Sequence, residues 1–213
     1  MEFNSNKCIC SAVGVASHYA ISAMSLGDDV IQWSNTFKYL GVSFIAGRSL
    51  LVDTHVIKCK FFSSCNCIFG KINCLHDMLK LSLIETFCLP TLLYATVALK
   101  LSKTQINELN ASWNSVYRRF FGFNKWESVR CFINGLGRLD FSFLRRYLHL
   151  KFCCLSLSCG NPTFITLMKM YLRSSSFINL CESVGLGHYD PNRFKDLSIG
   201  RFKACVHAAF ATS

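Results

Sequence analysis

Between Ile31 and Ile45 the apolar side chains fall near every second position, at Ile31, Trp33, Phe37, Tyr39, Val42 and Phe44. After Arg48 they recur at a spacing of four, through Leu51, His55, Cys59, Phe62, Asn66 and Phe69. A period of two belongs to a half-buried strand and a period near 3.6 to a helix, so the chain must change architecture at this point. The expected fold class is therefore α+β, a small antiparallel β hairpin followed by a mainly α-helical body. Ser34-Asn35-Thr36 is expected as the polar turn between two short strands. Gly41 breaks the alternation, which suggests a bulge or a close approach of another backbone or a ligand.

The helical part carries its own punctuation. Gly70 reads as the stop of the first helix. A second apolar run covers residues 78–101, and Pro90 should divide it, because proline removes a backbone donor and clashes with the preceding turn. Ser102 with Gln105 forms a capping-box pattern. The helix that it opens places Ile106, Leu109, Trp113, Val116, Tyr117 and Phe120 on one face. A short helix is expected over residues 127–134, one capped by Asp140 over 141–158, and one opened by Asn161-Pro162 over 163–172. Beyond Ser174-Ser175-Ser176 the pattern fades, and residues 181–213 read as a loose tail. Residues 3–15 read as a strand.

Charge is distributed as unevenly as the periodicity. Up to His55 there are 3 basic and 4 acidic residues, whereas from Val56 onward 20 basic residues face 8 acidic ones. A basic helical body points to a polyanionic partner, nucleic acid first and an anionic membrane surface second. Between Arg118 and Lys151 the basic residues are Arg118, Arg119, Lys125, Arg130, Arg138, Arg145, Arg146 and Lys151, against Glu127 and Asp140 alone. Phe120, Phe121, Phe123, Trp126, Phe132 and Tyr147 are interleaved with them. The cations suit backbone phosphates, and exposed aromatics would stack on bases. An aromatic core with a solvated basic face is the plainer alternative, and amphipathic helices allow both.

Other patterns are weaker. Thirteen cysteines sit among apolar residues, as at Cys88, Cys131, Cys153 and Cys154, which favours packed thiols in a reducing compartment, cytoplasm or nucleus. Cys65, Cys67, Cys74 and His76 cluster in sequence, but their spacing is not that of paired zinc ligands, and no metal ligands are assigned. Residues 8–27 lack charge yet hold serines, glycines and His18, so no membrane span is expected. Asp28-Asp29 after Gly27 fits an ordinary acidic turn better than a magnesium site, since two-metal chemistry needs a carboxylate from another strand.

Several stretches together resemble a known family. They are Phe3-Asn4-x-x-Lys7, Ile31-Gln32-Trp33, Phe37-Lys38-Tyr39-Leu40-Gly41-Val42, Leu89-Pro90-x-Leu92-Leu93-Tyr94-Ala95, Leu109-Asn110-x-x-Trp113-x-x-Val116-Tyr117-Arg118, Phe121-Gly122-Phe123 and Leu136-Gly137-Arg138-Leu139. In order and spacing they resemble the end of the reverse-transcriptase domain of non-LTR (LINE-like) retrotransposons, over roughly residues 3–160. The resemblance implies a palm remnant with a motif D strand and a primer-grip hairpin at 1–48, a helical thumb and linker at 49–160, and a less defined segment at 161–213. It makes Lys7 the motif D lysine, an accessory proton donor to leaving pyrophosphate. It assigns Lys38, Tyr39, Leu40 and Gly41 to the primer end. The phosphates of an RNA/DNA template–primer duplex would then meet Arg118, Arg119, Arg145, Arg146 and Lys151.

The family's metal-binding aspartates belong to palm strands upstream of motif D, and Asp28-Asp29 stands downstream of Lys7. The intact parent polymerase would use Mg²⁺, whereas this chain is expected to bind no cofactor and to be inactive alone, as a fragment that keeps template–primer binding elements. The alternative is a basic helical module that binds nucleic acid or protein without polymerase ancestry.

Overall fold

The structure is a computed structural model that describes residues 4, 8–14, 22–71, 75–94, 96–187, 194 and 199–212. The chain forms two compact units, Met1–Lys60 and Phe61–Ser213. The fold class is α+β, with small sheets first and a mostly helical body after them.

The first unit holds two three-stranded sheets. In one, β3 (Asp29–Trp33) lies between β1 (Ile9–Cys10), to which it is parallel, and β2 (Met24–Leu26), to which it is antiparallel. Leu26 stands opposite Asp29, so Gly27-Asp28 is the two-residue turn of that hairpin. The other sheet is antiparallel throughout, in the order β4 (Thr36–Tyr39), β5 (Val42–Ile45), β6 (Leu51–Val52). Phe37 and Phe44 are directly opposed and their rings stack at 5.4 Å, which fixes the β4–β5 register as cross-strand aromatic pairs do. Val42, Phe44, Ala46 and Val52 are the buried residues around this sheet.

Three expectations for this region are corrected. Ser34-Asn35 does not turn one strand back on the other, because β3 and β4 belong to different sheets. It is a connection held by its own hydrogen bonds. Ser34 N–H donates to Cys10 O at 2.9 Å, Ala46 N–H donates to Asn35 O at 2.7 Å, and the Ser34 hydroxyl donates to Thr36 O at 2.6 Å. The hairpin turn is Leu40-Gly41 instead, with φ of 47° and 81°. Gly41 is thus neither a bulge nor a mid-strand glycine. A two-residue loop that matches strand twist needs positive φ at both positions, and Gly41 supplies one of them at no steric cost. The helix also begins later than the periodicity suggested. Leu51 pairs with Ile45 in β6, and α1 runs from Thr54 to Lys71, with Gly70 inside it. Asp53 Oδ1 accepts from His55 N–H at 2.9 Å and so closes the first turn. Of the strand expected at 3–15, residues 4 and 8–14 are described and only β1 among them is strand, while Phe3, Lys7 and Val15 lie outside the described residues.

The second unit is built on α2 (Asp77–Phe87), α3 (Leu89–Leu93), α4 (Lys103–Phe121), α5 (Arg130–Gly135), α6 (Phe141–Leu157), α7 (Pro162–Leu172), α8 (Ser175–Glu182) and α9 (Ile199–Thr212). Pro90 sits in the first turn of α3, so the apolar run is divided at Cys88, as proline at the start of a helix allows. The Ser102–Gln105 capping box opens α4, with both of its reciprocal hydrogen bonds present. Asp140 caps α6 and Asn161 caps α7, each accepting the N–H three residues on. The short helix expected over 127–134 begins only at Arg130 and runs to Gly135.

Helix α6 is central. It packs against α4, α7 and α9. Leu109, Trp113 and Tyr117 of α4, Phe141 and Leu150 of α6, and Phe202, Val206 and Phe210 of α9 are essentially inaccessible to solvent. The tail is therefore not loose where it is described: α8 and α9 fill out the core. The apolar triplet Phe202, Val206, Phe210 recurs at helical spacing and buries one stripe. The 12 described cysteines are all thiols. Cys65, Cys88, Cys153, Cys154 and Cys181 are buried, and burial pushes the thiols of Cys153 and Cys181 up to about 12, the range of inert core cysteines. Among the described residues no helix is long and apolar enough to cross a membrane.

Candidate nucleic-acid interface

The β4–β5 hairpin presents its tip to solvent. Lys38 is exposed, Tyr39 is 63% exposed and Leu40 is 72% exposed. Leu40 is the only described non-glycine residue with positive φ. That conformation brings an L side chain's Cβ close to the carbonyl oxygen and is unfavourable for leucine by roughly 1–2 kcal/mol. Asparagine or aspartate is the usual occupant of such a position. Lys38 and Tyr39 end β4 and Leu40-Gly41 make the turn, so the four residues that the sequence groups together lie at one exposed hairpin tip.

The basic side chains of the helical unit divide into two kinds. Arg145 is tied inward: its Nε donates to Thr96 O at 2.9 Å and its Nη2 to Leu99 O at 3.1 Å. It therefore holds the segment before α4 against α6. Burial depresses its pKa, and no carboxylate is among the groups that act on it. It also depresses that of neighbouring His149, whose Nε2 lies 2.8 Å from the Tyr171 hydroxyl. Arg146 lies over the Phe143 ring at 4.5 Å, and burial lowers its pKa more than nearby Asp140 raises it. Arg119 donates to Asn66 Oδ1 at 2.6 Å and lies 3.9 Å over the Phe69 ring. Arg118 donates through Nε to the Glu127 carbonyl at 2.9 Å. Arg138, from the same basic stretch, pairs with Glu85 at 2.9 Å. Lys151 is half-buried on α6. Arg119 is nonetheless exposed, as are Lys71, Lys100, Lys103, Lys125, Lys169, Arg173, Arg201 and Lys203.

The interleaved aromatics divide in the same way. Phe120, Phe121, Phe123 and Phe132 join Phe69 in a connected cluster with centroid separations of 4.6–6.3 Å. They pack the end of α4 rather than facing a ligand. Trp126 does the opposite and is 88% exposed. Sequence reasoning placed it in a list of six. The signal that separates it is its position outside helical periodicity, between Lys125 and Glu127 just beyond Gly122.

No arrangement for metal chemistry is found among the described residues, where no group of three or more His, Cys, Asp and Glu side chains is placed to hold an ion. Cys65 is buried while Cys67 and His76 are exposed, and Cys74 lies outside the described residues. Asp28 and Asp29 are exposed at the β2–β3 turn, as an acidic turn would be. The described residues therefore do not fit a pair of magnesium ions. Lys7 lies outside the described residues.

No family model, curated protein or solved structure matches the chain.

Proposed function

We propose that this chain is a template–primer-binding piece of a non-LTR-type reverse transcriptase without a catalytic centre of its own. The β4–β5 hairpin meets the primer end, and the exposed cations of the helical unit meet phosphates. The observation that carries this reading is Leu40: a leucine in an unfavourable left-handed conformation, 72% exposed, at the tip of a tight turn. Strain of this kind persists where surrounding structure enforces it and concentrates at binding sites. The side chain is exposed at the tip of the hairpin, where it offers an apolar surface to a sugar or base. The resemblance of Phe37-Lys38-Tyr39-Leu40-Gly41-Val42 to a primer grip and the excess of positive charge after His55 support the same reading.

Replacing Leu40 by asparagine tests it, because asparagine suits the turn and removes the apolar tip. The Leu40→Asn chain should fold at least as stably as the parent. Its affinity for a labelled RNA–DNA hybrid with a recessed 3′ end should fall on the order of tenfold, equivalent to about 1.4 kcal/mol, and its preference over a blunt hybrid should vanish. Neither protein should extend the primer with magnesium or manganese. Unchanged affinity for the recessed hybrid would remove the hairpin from the interface and favour the alternative, a basic helical binding module, which the charge excess of the helical unit by itself also supports. Nucleotide incorporation would overturn the non-catalytic half of the proposal.

A further inference from the structure

Helix α4 ends at Phe121, and Gly122 reverses the chain in the left-handed conformation at φ 69°. The N–H groups of Gly122 and Phe123 both return to the Arg118 carbonyl, which closes the helix end. The next residues are fastened from several sides. The Asn124 backbone N–H donates to Glu127 Oε2 at 2.9 Å, and the Asn124 side-chain amide donates to Glu127 Oε1 at 2.8 Å. The Glu127 N–H returns to the Asn124 carbonyl at 3.1 Å, while Arg118 holds the Glu127 carbonyl. Phe123 anchors the loop by packing edge-on to Phe132, centroids 5.1 Å apart. On this braced turn, Trp126 is the most exposed large apolar side chain among the described residues, and the Lys125 ammonium lies 5.1 Å from its ring centroid.

We propose that Trp126 is a stacking platform for an unpaired base of single-stranded nucleic acid, with Lys125 beside it for a flanking phosphate. The inference rests on the nucleic-acid reading above and assigns a part of that binding to a residue outside the hairpin. A turn that is already fixed spares binding the cost of ordering the loop, and the indole face accepts any base without regard to sequence. An aromatic cluster lies next to the loop, yet Trp126 is not folded onto it, so its exposure is a property of the turn. Both oxygens of Glu127, the one acid in the loop, accept from Asn124, and these hydrogen bonds lower its pKa and keep it ionised, so its negative charge offsets part of the attraction that Lys125 offers a phosphate. An unpaired base is required because the bases of a duplex already stack on each other.

Tryptophan emission of the full-length chain reads this directly. Trp113 is buried and Trp33 is the third indole, so the difference between the parent and Trp126→Phe isolates the Trp126 signal. Adding oligo-dT should quench that signal saturably, whereas a blunt duplex should leave it largely unchanged. Trp126→Ala should weaken oligo-dT binding about 5- to 150-fold and leave duplex binding within about twofold. Lys125→Ala should flatten the salt dependence by about 0.7 in log–log slope for a single strand. If oligo-dT binds with full salt dependence while Trp126 emission and Trp126→Ala affinity stay unchanged, the platform is refuted and the hairpin reading survives. If neither oligo-dT nor the recessed hybrid binds, both are refuted. A blue shift of the Trp126 signal on phosphatidylserine vesicles, with no response to oligo-dT, would assign the loop to a membrane surface and likewise overturn the inference.

Discussion

Asp140 and the arginines around it show how far a charged residue's role depends on what it touches. Arg145 and Arg146 are adjacent in sequence, but one holds two carbonyls of the segment before α4 and the other lies on a phenylalanine ring. Asp140 is only 8% exposed and caps α6 through Phe143 N–H. Burial raises its pKa, and the bond from Phe143, the charges of Arg130 and Arg146 and the Asn110 amide only partly oppose this. A carboxyl whose pKa is raised in the folded state adds stability through its protonated form. That contribution is complete below the unfolded-state pKa and is lost as pH rises through the folded one. Asparagine caps a helix as well as aspartate does and does not titrate. Asp140→Asn should therefore be more stable than the parent at about pH 7, and the difference should shrink as pH falls through the raised folded-state pKa and be gone below the ordinary 3.8. Urea midpoints at several pH values decide the matter. A parent that is the more stable of the two at neutral pH would show that Arg130 and Arg146 outweigh desolvation.

At the scale of elements, α9 is where the structure adds most to the sequence. Phe210 is 1% exposed, with its ring 5.1 Å from that of Phe143, so α9 closes one side of α6. Phe210→Ala should cost about 3–5 kcal/mol, the range for emptying a buried phenylalanine site. Chemical unfolding of the full-length chain measures it, and a loss under about 1 kcal/mol would mean that α9 is not part of the cooperative core. The starts of α4, α6 and α7 were legible because capping is local: Ser102, Asp140 and Asn161 satisfy N–H groups only three residues away. The β6–α1 boundary was not legible, since Leu51 suits both the strand and the four-residue spacing, and its pairing with Ile45 is a tertiary choice. The Leu40-Gly41 turn was hidden for another reason. Leucine is a rare occupant of a left-handed position, and the polar Ser34-Asn35-Thr36 offered a more conventional turn. The α9 stripe was readable from Phe202, Val206 and Phe210, but the pattern faded after Ser174-Ser175-Ser176 and residues 181–213 read as a loose tail. At the candidate site, the list of basic and aromatic residues could be read. Which of them face inward could not, because a guanidinium satisfies a carbonyl or a phosphate with the same donors.

Across the whole molecule, charge and fold are segregated together, with the helical unit of residues 61–213 carrying 18 basic residues against 8 acidic ones. Counting those charges overstates any phosphate contact, because Arg118, Arg119, Arg138 and Arg145 each already donate to or pair with another group of the chain. Exposed lysines are the better candidates, and Lys103 is the most informative of them. It occupies the first turn of α4, which holds no acidic residue, although the positive end of a helix dipole favours acids there. Its charge is thus unfavourable to the helix that bears it. Lys103→Glu should raise folding stability by about 0.3–1 kcal/mol through the dipole. The same change should weaken duplex binding and, if Lys103 neutralises one phosphate, reduce the slope of log affinity against log salt by about 0.9. Arg145→Ala is the control with the opposite signature, a lower unfolding midpoint and an unchanged salt slope. Parallel salt titrations and urea curves on the two variants separate binding cations from structural ones. If Lys103→Glu gains stability without any loss of affinity, the first turn of α4 does not meet nucleic acid, and the phosphate-binding face must be sought among the other exposed lysines.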